Sequence, residues 1–194
     1  MRKLVYLIAC SIDGFIGDPG GDASSMYGFV EGEYQTWTLD EYPETFPAPY
    51  LASLGRADAP PKRFDTVVMG RGTYQVGLDA GLPSTYGSLR EIVASRSLTE
   101  SPYPNVELVR EDLPARVREL KAEDGPLDIW LCGGAEIAGV LREEIDEIVI
   151  KTYPQVYGSG LPMFGSGFAV SDFALEEVHT FPNGVLVRRY VRKR

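Results

Sequence analysis

Two apolar runs in this chain end in glycine at points where a helix is predicted to begin. The stretch "DTVVMGRGTY" (65–74) passes into Gly-Arg-Gly-Thr, and "IWLCGGAEIAG" (129–139) passes into a pair of glycines. Glycine lets a phosphate approach the backbone closely, and the free N–H groups and dipole of a helix start then hold the anion. The arginine adds a forked cation suited to phosphate, and the threonine adds a hydroxyl donor. These residue types therefore point to phosphate binding.

A third apolar run supplies similar donors. "REIVAS" (90–95) ends at Ser95, and Arg96 follows it. In an open α/β sheet, ligands bind beyond the carboxyl ends of the strands, so these three ends together predict a dinucleotide cradle. The alternative is that the glycines are tight-turn residues between strand and helix. Two glycine-rich ends with two nearby arginines favour the phosphate ligand.

The elements that must position these ends alternate between strand and helix. The predicted strands are 3–10, 65–69, 90–95, 106–110, 127–132 and one within 145–157. Helices are predicted after Gly72, at 112–123 with Asp112 as N-cap, and at 135–144. Residues 24–64 are irregular, with one short helix expected near 40–54. Two alternating runs joined at 182–184, "PNG", predict an antiparallel hairpin, so we expect an α/β fold with a mixed sheet and helices on both faces.

Composition narrows the class of protein. A chain of 194 residues suggests one domain, 1–194, and a net charge of −9 argues against nucleic acid as a partner. Cys10 and Cys132 lie in apolar runs and fit reduced core thiols, and no metal-ligand spacing is present. "MRKLVYLIAC" has some features of a lipoprotein signal, but its apolar run is short. We expect a first strand there, a cytoplasmic location and no membrane span.

Five stretches in this chain carry a family resemblance. The chain resembles the dihydrofolate reductase-like superfamily, and more closely the reductase domain of bacterial riboflavin biosynthesis and its stand-alone relatives. The matching stretches, in the family's order, are "LIACSIDGFIG" (7–17), "TVVMGRGTY" (66–74), "IVASR" (92–96), "WLCGGAEIAGVL" (130–141) and "YPQVYGSGLPMF" (153–164). The ordered set is specific for the superfamily and not for one substrate. It implies a three-layer αβα fold of the dihydrofolate reductase type.

The resemblance also implies an NADPH-dependent reductase acting on a pyrimidine- or pterin-like molecule. By analogy, Ala9 and Ile16 would lie beside the nicotinamide, and Ser95 and Arg96 near the adenosine 2′-phosphate. The residues that would face the phosphates and wrap the pyrophosphate are Gly70, Arg71, Gly72, Thr73, Gly133, Gly134, Ala135 and Glu136. Two arginines near one sheet edge favour NADPH over NADH, because the extra phosphate needs cations.

Hydride transfer often needs a proton donor beside the acceptor carbon, and two aspartates are candidates. Asp13 follows the first strand, although Asp-Gly is also a common turn pair. Asp40 lies on the irregular segment, where the alternative role is a helix N-cap. Trp37 and Tyr42 are candidates for stacking on a flat substrate, and packing of the segment is an equal alternative.

The chain departs from the riboflavin reductase pattern. The residue after "DG" is typically basic in that pattern but is Phe15 here, and residues 24–55 contain no lysine or arginine. The acids near residue 40 cannot be aligned uniquely with the single acid of folate reductases. An aromatic, acidic pocket suits a neutral or cationic flat substrate. Three functions stay open: this reductase, a non-catalytic nucleotide-binding module, and a folate reductase.

The C-terminal "RRYVRKR" (188–194) is a basic run on an acidic chain. Such a run is most often a solvated strand end. It also suggests a homodimer, in which the run pairs with the acidic loop of a second subunit beside the exposed hairpin.

Overall fold

The computed structural model describes residues 1–101, 103–165 and 167–193. Its strands are β1 (Leu4–Cys10), β2 (Phe15–Gly17), β3 (Phe64–Gly70), β4 (Arg90–Ala94), β5 (Val106–Val109), β6 (Asp128–Gly133), β7 (Glu147–Thr152), β8 (Leu161–Pro162), β9 (Phe173–Thr180) and β10 (Leu186–Arg192). Its α-helices are α1 (Gly32–Glu41), α2 (Ala48–Ser53), α3 (Arg71–Asp79), α4 (Leu113–Ala122) and α5 (Ala135–Val140). Short 3-10 turns cover Ser24–Phe29, Pro43–Thr45 and Arg142–Glu144.

Eight strands form one mixed sheet in the order β5-β4-β3-β6-β1-β7-β10-β9. The first six of these strands run parallel, whereas β10 is antiparallel to both β7 and β9. Asn183 and Gly184 make the turn of the β9–β10 hairpin, with φ +84° at the glycine, a value that glycine adopts without steric cost. The predicted mostly parallel sheet with a C-terminal hairpin is confirmed.

Both faces of the sheet are buried. Alternate residues of β1 point to opposite sides, so Val5 joins one core cluster and Leu4 joins the other. Tyr34 of α1 and Tyr74 of α3 cover the first side, which we call the α1/α3 face. The opposite side, the α4/α5 face, is covered by Leu113, Val117 and Leu120 of α4 and Ala138 of α5. These layers confirm the three-layer αβα prediction.

The irregular segment contains more helix than the sequence predicts. Helix α1 occupies residues 32–41, where no helix was expected, and α2 lies inside the expected 40–54 region. The buried face of α1 consists of Tyr34, Thr38 and Leu39. Thr38 is polar, but its hydroxyl donates to the Tyr34 carbonyl at 2.8 Å, which lets it be buried. An apolar-periodicity search therefore does not detect this helix.

Strands β2 and β8 form a small antiparallel sheet where the sequence suggests only a glycine-rich loop. A Cβ on Gly160 would lie 2.2 Å from the Gly17 carbonyl oxygen, so the two backbones approach too closely for another residue. The Ile12 N–H donates to the Gln155 carbonyl at 2.8 Å. The small sheet thus ties the loop after β1 to the loop after β7.

Candidate functional site

The two glycine-rich strand ends lie side by side in the sheet. β3 and β6 are neighbours, yet the chain leaves them in opposite directions. After β3 it passes through α3 on the α1/α3 face to β4, and after β6 it passes through α5 on the α4/α5 face to β7. This is a topological switch point, the place where open α/β sheets bind ligands. We call the space beyond these two strand ends the crevice.

The backbones meet closely at the crevice. A Cβ on Gly70 would lie 3.8 Å from both the Gly133 carbonyl oxygen and the Gly134 nitrogen. A Cβ on Gly134 would lie 3.7 Å from the Thr73 hydroxyl, and Gly133 has φ +117° with a cis peptide bond to Gly134. A Cβ on Gly72 would meet no atom within 4 Å, so open space lies there. The structure therefore brings residues 70–73 and 133–134 together around an open crevice.

Cations without carboxylate partners gather at the same edge of the sheet. Most lysines and arginines of this acidic chain form ion pairs, for example Arg2 with Asp65 and Lys121 with Asp146. The exceptions among the described residues are Arg71, Arg96, Arg110, Lys151, Arg188 and Lys193. All of these but Lys193 lie at or near the carboxyl ends of the parallel strands. This edge is therefore suited to an anionic ligand.

The remaining predicted cofactor residues border the crevice. Arg71 donates to the Gln75 side-chain oxygen, and Arg96 is exposed just beyond β4. The buried Ser95 hydroxyl accepts from the N–H of Leu98 at 3.1 Å, so it closes the turn that presents Arg96. Glu136 is exposed in the first turn of α5. Ser95 thus has a structural role in the absence of ligand, whereas Arg96 is free to contact one.

The small sheet bounds the other side of the crevice. Ile16 lies in β2, and the loop after β8 continues to Gly165, whose N–H donates to the Ala135 carbonyl at 2.9 Å. A Cβ on Gly165 would lie 3.1 Å from the Ala135 carbonyl carbon. Ala9, at the end of β1, is half-buried on the α1/α3 face. The loop therefore rests directly on the start of α5.

Asp13 holds the loop between β7 and β8 in place. Its carboxylate accepts from the Ser11 hydroxyl at 2.6 Å and from the backbone N–H groups of Gly158 at 2.7 Å and Tyr157 at 3.1 Å. The Ser11 hydrogen bond, followed by the two backbone bonds, lowers the pKa of Asp13 to about 2. A carboxylate with this pKa is ionised near neutral pH, so we expect Asp13 to position the loop and not to donate a proton.

Replacement of Asp13 by asparagine is expected to destabilise the protein at pH 7 and less so at pH 3. The pKa is lower in the folded state than the unfolded value of about 3.9, so this stabilisation is present above about pH 4. It is lost as the pH falls toward the folded value of about 2. Urea unfolding of wild type and Asp13→Asn at both pH values measures the effect. An equal difference at the two pH values would contradict this role.

Asp40 does not lie at the crevice. It forms an ion pair with Arg56 at 3.0 Å, and its side chain is 57% exposed. The neighbouring Glu41 bonds to Lys62 and Arg63, just before β3 begins. β3 separates that end from the crevice by roughly 20 Å. The acidic pocket that the sequence suggests is therefore not found at the crevice. These acids lie at the amino ends of the strands, where they pair with lysine and arginine.

Trp37 and Tyr42 pack the irregular segment onto the sheet. Tyr42 is buried and stacks on Phe64, the first residue of β3, at 6.1 Å between ring centroids. Trp37 contacts Tyr42, and it contacts His179 of β9 at 4.7 Å. The structure brings the two together, but it places Tyr42 near the amino end of β3 and away from the crevice.

Two cavities lie at that amino edge. Their volumes are about 270 and 260 Å³, and Lys3 and Glu147 line both. Lys3 and Arg189 both pair with Glu147, at 2.5 and 3.4 Å. Because these charges already have partners, the cavities are less suited than the crevice to binding an ionic ligand.

Sequence reasoning missed one charged residue at the carboxyl edge. Lys151 lies near the end of β7 and pairs in register with Ala9 of β1. The signal was present in "EIVIKT", because a lysine two residues after Val149 shares the side of that buried residue. When residues 145–157 are interpreted only as containing one buried strand, the sequence does not show which of them faces a ligand.

Comparisons with known proteins place the chain in a family. The family model described as the RibD C-terminal domain matches residues 2–187. The chain belongs to the RibD C-terminal domain family. The chain is also similar to the Bacillus subtilis (strain 168) protein YwjB, with 31% identity over 165 residues that cover 84% of this chain and 83% of YwjB. The predicted resemblance to riboflavin-type reductase domains is thereby confirmed.

Solved structures support the same placement. A Shewanella sp. PV-4 protein assigned to riboflavin biosynthesis is 26% identical with a TM-score of 0.72, and each chain is covered completely. Dihydrofolate reductase from Enterococcus faecalis, solved with NADP(H), is 14% identical with a TM-score of 0.60, covering 99% of this chain and 97% of that one. The second likeness shows the fold alone, which is the dihydrofolate reductase type.

The C-terminal basic run contacts its own chain. Arg189 pairs with Glu147 and Glu177, and Arg192 donates to the Ile145 carbonyl at 2.6 Å. The last residue of the run, Arg194, lies outside the described residues. A homodimer through this run stays a prediction. Within the described residues, no helix has the length and apolar character needed to cross a membrane, and no group of potential metal ligands is found.

Proposed function

We propose that this RibD C-terminal domain protein is an NADPH-dependent reductase that transfers hydride to a pyrimidine- or pterin-like molecule. The observation that carries the proposal is the crevice at the β3–β6 switch point. The ends of β3 and β6 approach each other there through glycine residues, and open space lies in front of the start of α3. Arg71 and Arg96, which have no carboxylate partner among the described residues, border the crevice.

The residues of the crevice fit a dinucleotide. The start of α3 has no side-chain cap, so its first N–H groups are available to a phosphate, and Arg71 adds a bidentate donor. Gly133 and Gly134 allow a pyrophosphate to approach the end of β6 without steric conflict. Arg96, beyond β4, is placed to contact an additional phosphate such as the 2′-phosphate of NADPH.

The chain's own residues would orient the reacting groups. When bound, NADPH supplies a hydride to the acceptor carbon, and the adjacent nitrogen or oxygen must receive a proton. By analogy with the family, a flat ring would lie beside Ala9, a small, half-buried residue near the end of β1, and the β7–β8 loop is held by Asp13. Since Asp13 is ionised and Asp40 is distant, we assign neither as the proton donor, and a bound water molecule is the simplest source.

Turnover tests this proposal. Loss of dihydronicotinamide absorbance is followed with NADPH and a panel of oxidised pterins, dihydropterins and aminopyrimidines. We expect saturable, protein-dependent oxidation with at least one acceptor and slower oxidation of NADH. Oxidation that does not depend on the acceptor, or that is equal with NADH and NADPH, would contradict it.

One observation favours a second candidate, a non-catalytic nucleotide-binding module. Neither predicted acid is placed to give a proton, although the crevice would bind the dinucleotide in either case. A protein that binds NADPH tightly but reduces none of the acceptors would support this second function.

A further inference from the structure

Lys151 lies on the substrate side of the proposed site. In β7 it follows Val149 by two residues and therefore shares the α1/α3 face with that buried residue. Its register partner on β1 is Ala9. The side chain is half-buried, and within the described residues it has no hydrogen-bonding or ion-pairing partner. A lysine whose stem is partly covered and whose charge has no protein partner is available to bind an anion.

Aromatic and sulfur groups lie on the same face of the sheet as this cation. The Tyr86 hydroxyl lies 4.0 Å from the Cys132 sulfur, and both residues are half-buried on the same face. Burial raises the pKa of Cys132 to about 11, whereas the Tyr86 hydrogen bond and the Lys151 charge act to lower it. Tyr27 is 65% exposed and lies near Tyr86 and Tyr153. These rings offer a flat molecule a stacking surface beside one cation.

The sequence suggests that the substrate side of the site is acidic, whereas the structure places the cation Lys151 there. The acids at 40–44 are bound by the segment 56–64 at the other edge of the sheet. Two of them pair there with Arg56 and Lys62, whereas Lys151 has no carboxylate within ion-pairing distance. Lys151 is therefore a cation without an ion-paired carboxylate among the described residues, which favours an anionic molecule over a cationic one at this position.

We propose that Lys151 is a specificity-determining residue that binds an oxyanion, a carboxylate or a phosphate, carried by the flat heterocyclic substrate. This inference rests on the proposed function, because it places the ring of the substrate over Ala9 and beside the nicotinamide. The lysine supplies from β7 the cation that residues 24–55 lack. Its ammonium group donates to the oxyanion, and the tyrosine rings contact the faces of the heterocycle.

Binding of matched ligand pairs tests the inference. Protein first shown to be saturated with NADP⁺ is titrated with pterin against pterin-6-carboxylate, and with uridine against uridine 5′-monophosphate. The two pairs distinguish a carboxylate from a phosphate. We expect at least one anion to bind about tenfold more tightly than its neutral parent, as one charge-assisted hydrogen bond provides. In Lys151→Gln this preference should disappear while the neutral ligand binds as before.

Two controls separate recognition from folding and from the proposed function. Lys193→Gln removes the same charge from an exposed position at the amino edge and should retain the preference. Because Lys151 has no partner, Lys151→Gln should unfold at the same urea concentration as wild type and bind NADP⁺ equally. Equal affinity within both pairs, no binding of any of the four ligands, or a preference that survives in Lys151→Gln would overturn the inference. Failure to bind NADP⁺ would instead contradict the proposed function.

Discussion

Replacing Arg71 with alanine is expected to weaken NADPH binding by roughly 10- to 100-fold, the effect of losing one or two charge-assisted hydrogen bonds. Arg71 begins α3 at the crevice, and among the described residues its side chain bonds only to Gln75, an uncharged partner that it can exchange for a phosphate. The dipole at the helix start strengthens the same interaction. Binding can be followed by the fluorescence of Trp130, which lies on β6 three residues before Gly133.

The matched control for Arg71→Ala is Arg118→Ala. The substitution also removes a guanidinium group, but Arg118 lies on an exposed surface of α4, where it pairs with Glu144. This variant should bind NADPH like wild type. Unchanged binding in Arg71→Ala, or equal weakening in both variants, would mean that Arg71 does not contact the cofactor.

Replacing Glu44 with alanine is expected to lower the free energy of unfolding by about 3–5 kcal/mol. Glu44 is buried, and its carboxylate accepts from the backbone N–H groups of Lys62, Arg63 and Phe64 at 3.2, 2.8 and 2.7 Å. Alanine removes the acceptor from all three donors, and the N–H of Phe64, which is buried, is left without a partner. Urea unfolding followed by circular dichroism measures the loss.

Two other variants show whether the acids at 40–44 act in stability or in chemistry. Glu44→Gln keeps one acceptor oxygen and should cost less than Glu44→Ala, whereas Asp40→Asn removes an exposed ion pair and should cost at most about 1 kcal/mol. Asp40→Asn should also retain wild-type turnover. If Glu44→Ala unfolds like wild type but abolishes turnover, the acid serves the reaction and its structural assignment is wrong.

The predictable parts of this fold are those whose pattern is local. β1 and β3 are continuous apolar runs, as expected for parallel strands buried on both faces, and the Asn183-Gly184 turn fixes the hairpin. The glycines of the crevice could be found because parallel strands end at one edge of a sheet. These predictions do not depend on contacts between residues that are far apart in the sequence.

The parts that were missed depend on such contacts. The buried face of α1 includes Thr38, whose burial depends on a hydrogen bond inside the helix. α1 runs toward the amino ends of the strands, which takes Asp40 away from the crevice, and no local signal gives that direction. The sequence gives the side of β7 on which Lys151 lies, but only the strand register shows that it lies beside Ala9.

The most direct test of the dinucleotide site on which the proposed function depends is a calorimetric titration of the purified protein with NADPH and, separately, with NADH. We expect one NADPH per chain and an affinity for NADH that is at least about tenfold lower, because NADH lacks the phosphate that we propose Arg96 contacts. Absence of binding of both cofactors at millimolar concentration would contradict the proposal. The glycines at the ends of β3 and β6 would then be turn residues of a fold that has lost its cofactor.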